Sequence, residues 1–314
     1  MKAVVQRRYG SASFGELDVP VPGQGEVLLE VRAAGVDMGT WHLLTGKPYL
    51  LRYIGFGVRG PKSPVPGRDV SGVVTRLGPG VTEFAVGDEV FGTCEGAFAE
   101  YAVAPVSRLA RKPAGTSFAE AAALPISGGT ALQGLRGVRA GQRVAVLGAG
   151  GGVGSYAVQI AKSLGAHVTG VCSTRKVELV RSLGADEVVD YTVADFTGTF
   201  DLIFDCGGNR SLSKMRKMLT PRGTLVLVGA ETGGAVTGGF ERSLAAVVLN
   251  LFVSQKLVPL MTAERADVFE ELRVLVEAGS LKAPVEREFP LSEGLDAIEH
   301  VYSRRVLGKV VVTI

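Results

Sequence analysis

The segment Val144-Ala145-Val146-Leu147-Gly148-Ala149-Gly150-Gly151-Gly152-Val153-Gly154 joins an apolar run to a helix-forming one. Glycines at such a junction do three jobs. One turns the chain tightly, one lets backbone N–H groups approach a pyrophosphate, and one packs helix against strand. The N-terminus of the following helix adds free N–H donors and a partial positive charge. Gly148/Gly150 and Gly151/Gly154 both give partial fingerprints; Ala149-x-Gly151-x-x-Gly154 is preferred because it sets the last glycine in the first helical turn. The chemistry this loop implies is dinucleotide binding. About 20 positions further on, an acidic side chain would accept ribose hydroxyls and repel a 2′-phosphate. There the chain reads Cys172-Ser173-Thr174-Arg175-Lys176, with hydroxyls, two cations and no carboxylate. Arg175 and Lys176 would hold a phosphate dianion through charge-assisted hydrogen bonds. The expected cofactor is therefore NADP(H).

The elements that must position this loop alternate. Arg143–Leu147, His167–Cys172, Val188–Val189, Leu202–Asp205 and Thr224–Val228 read as strands. Ser155–Leu164, Lys176–Leu183 and Leu212–Leu219 read as helices between them. That is the βαβ rhythm of a parallel sheet with helices on both faces. Ser117 with Glu120 forms a capping-box signature ahead of an alanine-rich helix. Before it, short β-branched runs (Val27–Val31, Val70–Leu77, Glu89–Gly92, Phe98–Val103) stand between Gly and Pro turns and suggest a barrel-like fold. Residues Gly46–Gly67 form a long loop of the kind that is often functional. The tail holds helices near Ala263–Ala278 and Ser292–Ser303, then a strand at Lys309–Ile314. The run Leu249–Lys256 reads as an edge strand, and an apolar edge predicts pairing with a second copy in a homodimer.

Composition bounds the classes. A net charge of +3, with Lys and Arg dispersed, argues against nucleic acid as the main partner. No apolar stretch reaches a bilayer span, and the first residues carry no signal pattern, so a cytoplasmic protein with no membrane partner is expected. Cys94, Cys172 and Cys206 are too widely spaced for a metal clamp or a disulfide framework.

With these residues on the page, the chain resembles the medium-chain dehydrogenase/reductase superfamily, and within it the zinc-independent quinone oxidoreductase-like branch. The resemblance rests on Gly25-Glu-Val-Leu-Leu-Glu-Val31, Pro66-Gly-Arg-Asp-Val-Ser-Gly-Val-Val74, Gly87-Asp-Glu-Val-Phe-Gly92 and Gly128-Gly-Thr-Ala131. It continues through the block from Gly148 to Tyr191 and Gly308-Lys-Val-Val-Val312. It implies an α/β fold: a GroES-like β-rich catalytic domain over 1–113, completed by 257–314, plus a Rossmann doubly wound parallel-sheet domain over 114–256. The active site would lie in the cleft between them. Thr130 would sit on the nicotinamide side, and Gly150, Gly151, Gly152, Val153 and Gly154 would hold the pyrophosphate. Ser173, Arg175, Lys176 and Tyr191 would surround the 2′-phosphate, with Gly229 and Phe252 flanking the nicotinamide.

Alcohol-oxidising members of the family hold zinc with Cys, His and Cys. Those positions are Asp37, Arg68 and Ile126 here, and the usual relay hydroxyl is Gly39. Arg68 has no lone pair to give and Ile126 has no ligand atom, so no metal is expected. Without a Lewis acid, the resemblance implies hydride delivery to an acceptor that is already electron-poor, a quinone or the β-carbon of an enone. Asp37 and Arg68 are expected to form a salt bridge filling the vacated site. Asp37, Trp41, His42, Tyr49 and Tyr53 are the substrate-pocket candidates, with His42 a candidate proton donor. An NADP-dependent alcohol dehydrogenase and a non-catalytic dinucleotide sensor are the alternatives.

Overall fold

The computed structural model describes residues 1–229 and 234–314. Contacts cluster into two compact units, Met1–Gly129 with Ala263–Ile314, and Thr130–Thr262.

The first unit is β-rich. Its strands and helices are β1 (Lys2–Arg8), β2 (Ser11–Glu16), β3 (Glu26–Val36), α1 (Met38–Thr45), β4 (Asp69–Leu77), β5 (Glu89–Thr93), β6 (Tyr101–Pro105), β7 (Leu109–Arg111) and α2 (Phe118–Ala122). α3 (Pro125–Gly134) carries the chain into the second unit. The sheet of the first unit is closed by the chain's tail. Val27, Leu29, Val31, Val70, Val74 and Phe98 share one core with Val310 and Val312 from the tail. The Ser117–Glu120 capping box forms as expected. Ser117 Oγ accepts from Glu120 N at 3.1 Å, and Glu120 Oε2 accepts from Ser117 N at 2.8 Å.

The second unit runs β8 (Arg143–Leu147), α4 (Gly152–Ser163), β9 (His167–Cys172), α5 (Val177–Ser182), β10 (Glu187–Asp190), β11 (Phe200–Asp205), α6 (Leu212–Lys217), β12 (Leu219–Leu227), α7 (Phe240–Leu249) and β13 (Lys256–Pro259). The six strands form one sheet in the order β10-β9-β8-β11-β12-β13, with every pairing parallel. β8, β9 and β11 are buried along most of their length. This is why they read as continuous apolar runs rather than alternating ones.

The tail returns to the first unit as α8 (Ala266–Glu277), β14 (Val285–Pro290), α9 (Gly294–Tyr302) and β15 (Lys309–Thr313). Its strands complete a seven-stranded sheet ordered β14-β15-β3-β4-β5-β7, with β6 also on β3; β1 and β2 form a separate hairpin.

One element differs from expectation. Residues 249–256 are not an edge strand. α7 ends at Leu249, a turn follows, and the edge strand is β13. Asn250 decides it. Its amide donates to the Leu257 carbonyl at 2.7 Å and its side-chain oxygen accepts from Leu257 N at 2.8 Å, which ties the helix end to the strand start. No helix among the described residues is long and apolar enough to cross a membrane.

Candidate functional site

In the second unit the glycine loop leaves β8 and enters α4. Gly148 has φ +77°, in the left-handed region that favours glycine. Gly148 N and Ala149 N both donate to the Val171 carbonyl, which pins the turn on β9. Gly151 caps α4 in an extended conformation with no side chain to satisfy the helix. The first-turn amides at Gly152, Val153 and Gly154 have no acceptor within a helix of their own, so they are available to an anion. Gly154 crosses so near the turn that a Cβ there would lie 2.1 Å from the Gly148 carbonyl oxygen. The loop therefore has the form a pyrophosphate requires: bare backbone, a helix N-terminus and no side chain in the way. This geometry fits the Ala149-x-Gly151-x-x-Gly154 register.

The adenosine-side candidates gather beside it. Lys176 packs against the loop, since a Cβ on Gly150 would lie 2.7 Å from the Lys176 Cβ. Ser173 precedes a 3₁₀ turn over Thr174–Lys176, and Arg175 points to solvent. Tyr191 follows β10, its amide donating to the Cys172 carbonyl at 3.0 Å. Two neighbours escaped the sequence reading. Arg210 lies 6.0 Å from the Tyr191 ring centroid and adds a third cation. Asp190 ends β10, and its Oδ1 accepts from Thr192 N and Thr192 Oγ1 at 2.9 and 2.7 Å. Hydrogen bonds from Thr174 and Thr192 hold this carboxyl below the usual carboxylate range, so it stays charged. Composition alone flags neither residue, because strand pairing brings them in from other loops.

Gly229 follows β12 at the carboxyl end of the sheet, 3.8 Å (from its would-be Cβ) from the Cys206 carbonyl. Thr130 lies on α3, one turn before Gly134, whose would-be Cβ meets Phe204 near the carboxyl end of β11 at 2.5 Å. Phe252 must be corrected. It sits in the turn that feeds the amino end of β13 and is 78% exposed. In a parallel sheet that is the edge opposite the glycine loop, so Phe252 cannot flank a ligand held there.

In the first unit the pocket candidates cluster around α1. Asp37 is its N-cap, with Oδ1 accepting from Thr40 N at 2.9 Å and from Thr40 Oγ1 at 3.1 Å. Its Oδ2 is buried without a hydrogen-bond partner. Trp41 stacks flat on Tyr302 of α9, ring centroids 4.4 Å apart. That side chain is committed to packing. His42 Nδ1 lies 2.6 Å from the Lys47 carbonyl. A carbonyl only accepts, so the proton sits on Nδ1 and neutral His42 presents a lone pair at Nε2. Burial lowers its pKa from the ordinary histidine value. Near pH 7 it is thus neutral and a poor proton donor, contrary to the role expected for it. Tyr53 is 74% exposed. Tyr49 lies 4.8 Å from the Arg52 guanidinium, which also sits 4.3 Å over Tyr9. Arg52 donates onward to the Gly46 and Thr45 carbonyls at 2.8 and 3.4 Å. It clamps the long loop, and no motif announced it.

A family model described as "Alcohol dehydrogenase GroES-like domain" matches residues 23–114, and one described as "Zinc-binding dehydrogenase" matches 183–312. The "Chloroplast envelope quinone oxidoreductase homolog" of Arabidopsis thaliana is 32% identical over 99% of this chain and 98% of its own. The "NADPH-dependent alkenal/one oxidoreductase, chloroplastic" of the same plant is 33% identical over 99% of this chain and 79% of its own. Among solved structures, the quinone oxidoreductase from Coxiella burnetii superposes with TM-score 0.84, at 26% identity, covering 100% of this chain and 99% of that one. The chain belongs to the medium-chain dehydrogenase/reductase superfamily, in its quinone oxidoreductase-like branch.

At the three positions where the resemblance would put zinc ligands, the chain has Asp37, Arg68 and Ile126. The expected Asp37–Arg68 salt bridge does not form. Arg68 pairs instead with Glu264 at 2.7 Å and Glu95 at 3.4 Å, while Asp37 is spent on the helix cap. The cause is local. Capping α1 satisfies Asp37 within its own segment, and two closer carboxylates compete for the guanidinium. Ile126 contributes only its backbone N–H, which donates to Asp69 Oδ1 at 2.8 Å. Asp69 is fully buried, and Lys309, 1% exposed, donates to its Oδ2 at 3.3 Å and to Ser127 Oγ at 3.1 Å. Burial pushes the Asp69 carboxyl up to about 7, against the pull of Lys309. Among the described residues no group of three or more His, Cys, Asp or Glu side chains could hold a metal ion. A groove of about 470 Å³ lined by Phe84, Leu109, Arg111, Asp267, Glu270 and Arg273 holds none of the candidate residues. Its charges are already paired.

Proposed function

We propose that this protein transfers a hydride from NADPH to an electron-poor acceptor, a quinone or the β-carbon of an α,β-unsaturated carbonyl, without a metal. The observation that carries this is the donor set at positions 37, 68 and 126. It comprises one capping carboxylate, one guanidinium held by Glu264 and Glu95, and one isoleucine, in a chain whose dinucleotide loop is complete. Such a set cannot polarise an alcohol or ketone through zinc. It favours acceptors that need no Lewis acid, which agrees with the names of the two Arabidopsis relatives.

The bound reduced nicotinamide supplies the hydride equivalent. The chain's own part is to bind and orient. The Gly150–Gly154 loop takes the pyrophosphate through the amides of Gly152, Val153 and Gly154, and Thr130 and Gly229 border the nicotinamide side. Ser173, Arg175, Lys176 and Tyr191 take the 2′-phosphate, helped by Arg210. Asp37 and the loop carrying Tyr49 and Tyr53 are the acceptor-side candidates of the first unit. The proton that completes reduction comes from water or a nearby hydroxyl, since the one proton of neutral His42 is held on Nδ1 by the Lys47 carbonyl.

The test is oxidation of NADPH and NADH with 1,4-benzoquinone and a simple enone, with and without a chelator. Chelator-resistant turnover favouring NADPH is expected. Replacing Arg175 and Lys176 together by Ala should cut that preference by ~10- to 100-fold, the scale of charge-assisted hydrogen bonds. Activity lost to the chelator would sink the metal-free reading. Equal use of NADH would sink the NADP preference. No turnover despite NADPH binding would favour a sensor.

A homodimer is also proposed. Among the described residues β13 is the last strand of its sheet, and Leu244, Val247, Val248, Leu251 and Met261 lie exposed around it. A monomeric mass at micromolar concentration would exclude this. The three cysteines are free thiols, which suits the cytoplasm.

A further inference from the structure

The strand order of the second unit reverses between β8 and β11, and ligands of open parallel sheets bind outside the carboxyl ends at such a point. One exit there is the glycine loop after β8. The other is Cys206-Gly207-Gly208 after β11. The two exits touch. Cys206 N donates to the Leu147 carbonyl at 3.1 Å, and a Cβ on Gly148 would lie 3.3 Å from the Cys206 Cβ and 3.7 Å from Gly207 N.

Asp205 holds the second exit in place. Its Oδ1 accepts from Gly207 N at 3.1 Å and from Gly208 N at 3.0 Å, so the carboxylate shapes the turn directly. Its Oδ2 accepts from Arg242 Nη2 at 2.6 Å. The Asp205 side chain is 0% exposed and that of Arg242 is 14% exposed. A carboxylate so enclosed needs a counter-charge and saturated hydrogen bonding. Arg242, in the first turn of α7, supplies both from outside the strand–turn unit. Its Nε is buried without a partner, so the guanidinium tolerates an unmet donor to reach Asp205. The pair thus ties α7 to the turn that walls the crevice opposite the glycine loop.

We propose that Arg242, acting through Asp205, is a positioning residue for the nicotinamide half of the dinucleotide. This rests on the cofactor reading above. In a sheet of this order the residue that reads the adenosine ribose stands at the end of β9, so the other half of the ligand extends over β11 and β12. There the 206–208 turn and Gly229 lie together, the would-be Gly229 Cβ being 3.8 Å from the Cys206 carbonyl. Arg242 itself stays behind the turn; its effect on the ligand runs through the turn's shape.

The experiment compares the wild-type chain with Arg242→Met, Arg242→Lys and the double variant Asp205→Asn/Arg242→Met. The double variant leaves no buried charge unpaired and so guards against simple misfolding. Dissociation constants are measured for NADPH and for adenosine 2′,5′-bisphosphate, which carries only the adenosine half, at a temperature where each variant is folded. NADPH affinity should fall ~10-fold or more in Arg242→Met and in the double variant, and Arg242→Lys should recover much of it. Affinity for the bisphosphate should stay within about twofold of wild type throughout. Unchanged NADPH affinity in a folded variant would overturn the proposal. An equal loss for both ligands would also overturn it, because it would mark a general loosening of the sheet. If the wild-type chain bound neither ligand, the cofactor reading itself would fall, and the proposal with it.

Discussion

Gly154→Val is expected to raise the dissociation constant for NADPH ~100-fold or more, equivalent to about 2.8 kcal/mol. The reason is a contact between main-chain atoms. A Cβ at this position would lie 2.1 Å from the Gly148 oxygen, 2.7 Å from its carbonyl carbon and 2.9 Å from the Ala149 Cα. None of these belongs to a flexible side chain that could turn away. Gly148 cannot retreat cheaply either, since it is held at φ +77° with its amide on the Val171 carbonyl. The loop must therefore open, and the amides that face the pyrophosphate would lose their common aim. Overpacking of this kind also destabilises the fold, by about 1–3 kcal/mol. Gly151→Ala separates folding from binding. Its Cβ would meet only the Gly148 oxygen, at 3.3 Å, and its backbone at φ −96°, ψ −179° suits any residue, so the fold should be retained. The added methyl stands where bare backbone approaches the pyrophosphate, so NADPH affinity should fall there too, by less than in Gly154→Val, as read by fluorescence titration. If Gly154→Val bound NADPH normally, the crevice would not be the dinucleotide site.

Lys309→Met should be the most destabilising single change in the first unit. It leaves Asp69, wholly buried, facing Asp37 without its cation. Removing one partner of a buried pair typically costs about 3–5 kcal/mol, a large share of the ~5–15 kcal/mol that hold a domain together. The double variant Asp69→Asn/Lys309→Met should recover most of the loss. Asparagine keeps an oxygen for the Ile126 amide, and no charge is left unpaired. The wild-type pair also carries a pH signature. The folded-state pKa of Asp69, about 7, lies above the ordinary carboxylate value, so the folded protein holds this proton more tightly than the unfolded chain does. The stability it contributes is complete below about pH 4 and is lost as pH rises toward 7. Urea denaturation of wild type and double variant across that window should show the wild type losing ground as pH rises. A constant difference would mean that Asp69 stays ionised throughout.

Much of the fold was legible in the residues, and the reason is locality. β8, β9 and β11 are buried on both faces, so each announces itself as an unbroken apolar run, and Ser117 with Glu120 marks a helix start within four residues. The glycine loop was legible because its constraint lies within one turn of chain. Leu249–Lys256 misled because a short apolar run does not distinguish a helix end and turn from a strand. The deciding group was the side chain of Asn250, reaching past the turn to Leu257. The charged networks were not legible at all. Asp69 meets Lys309 and Arg68 meets Glu264 across most of the chain's length, and nothing local distinguishes them from charges that face water. The Asp37–Arg68 expectation failed for the same reason: descent from a shared ligand set says where two residues sit, but not which neighbours compete for them.

The clamp at Arg52 bears on how this chain can change over generations. Arg52 lies between Tyr9 and Tyr49 and binds the carbonyls of Thr45 and Gly46, while the Tyr9 hydroxyl donates to Gly57 at 2.7 Å. Gly46 admits no side chain, for its Cβ would fall 2.6 Å from Tyr9 and 2.7 Å from Arg52. The base of the loop is thus closed by a few fixed residues, and Tyr53, 74% exposed, stands outside that network. Substitutions of Tyr53 can accumulate without unseating the scaffold, so lineages can trial new acceptors there while Tyr9, Gly46 and Arg52 stay put. Variation at Tyr53, rather than in the clamp, is where altered acceptor preference should be sought.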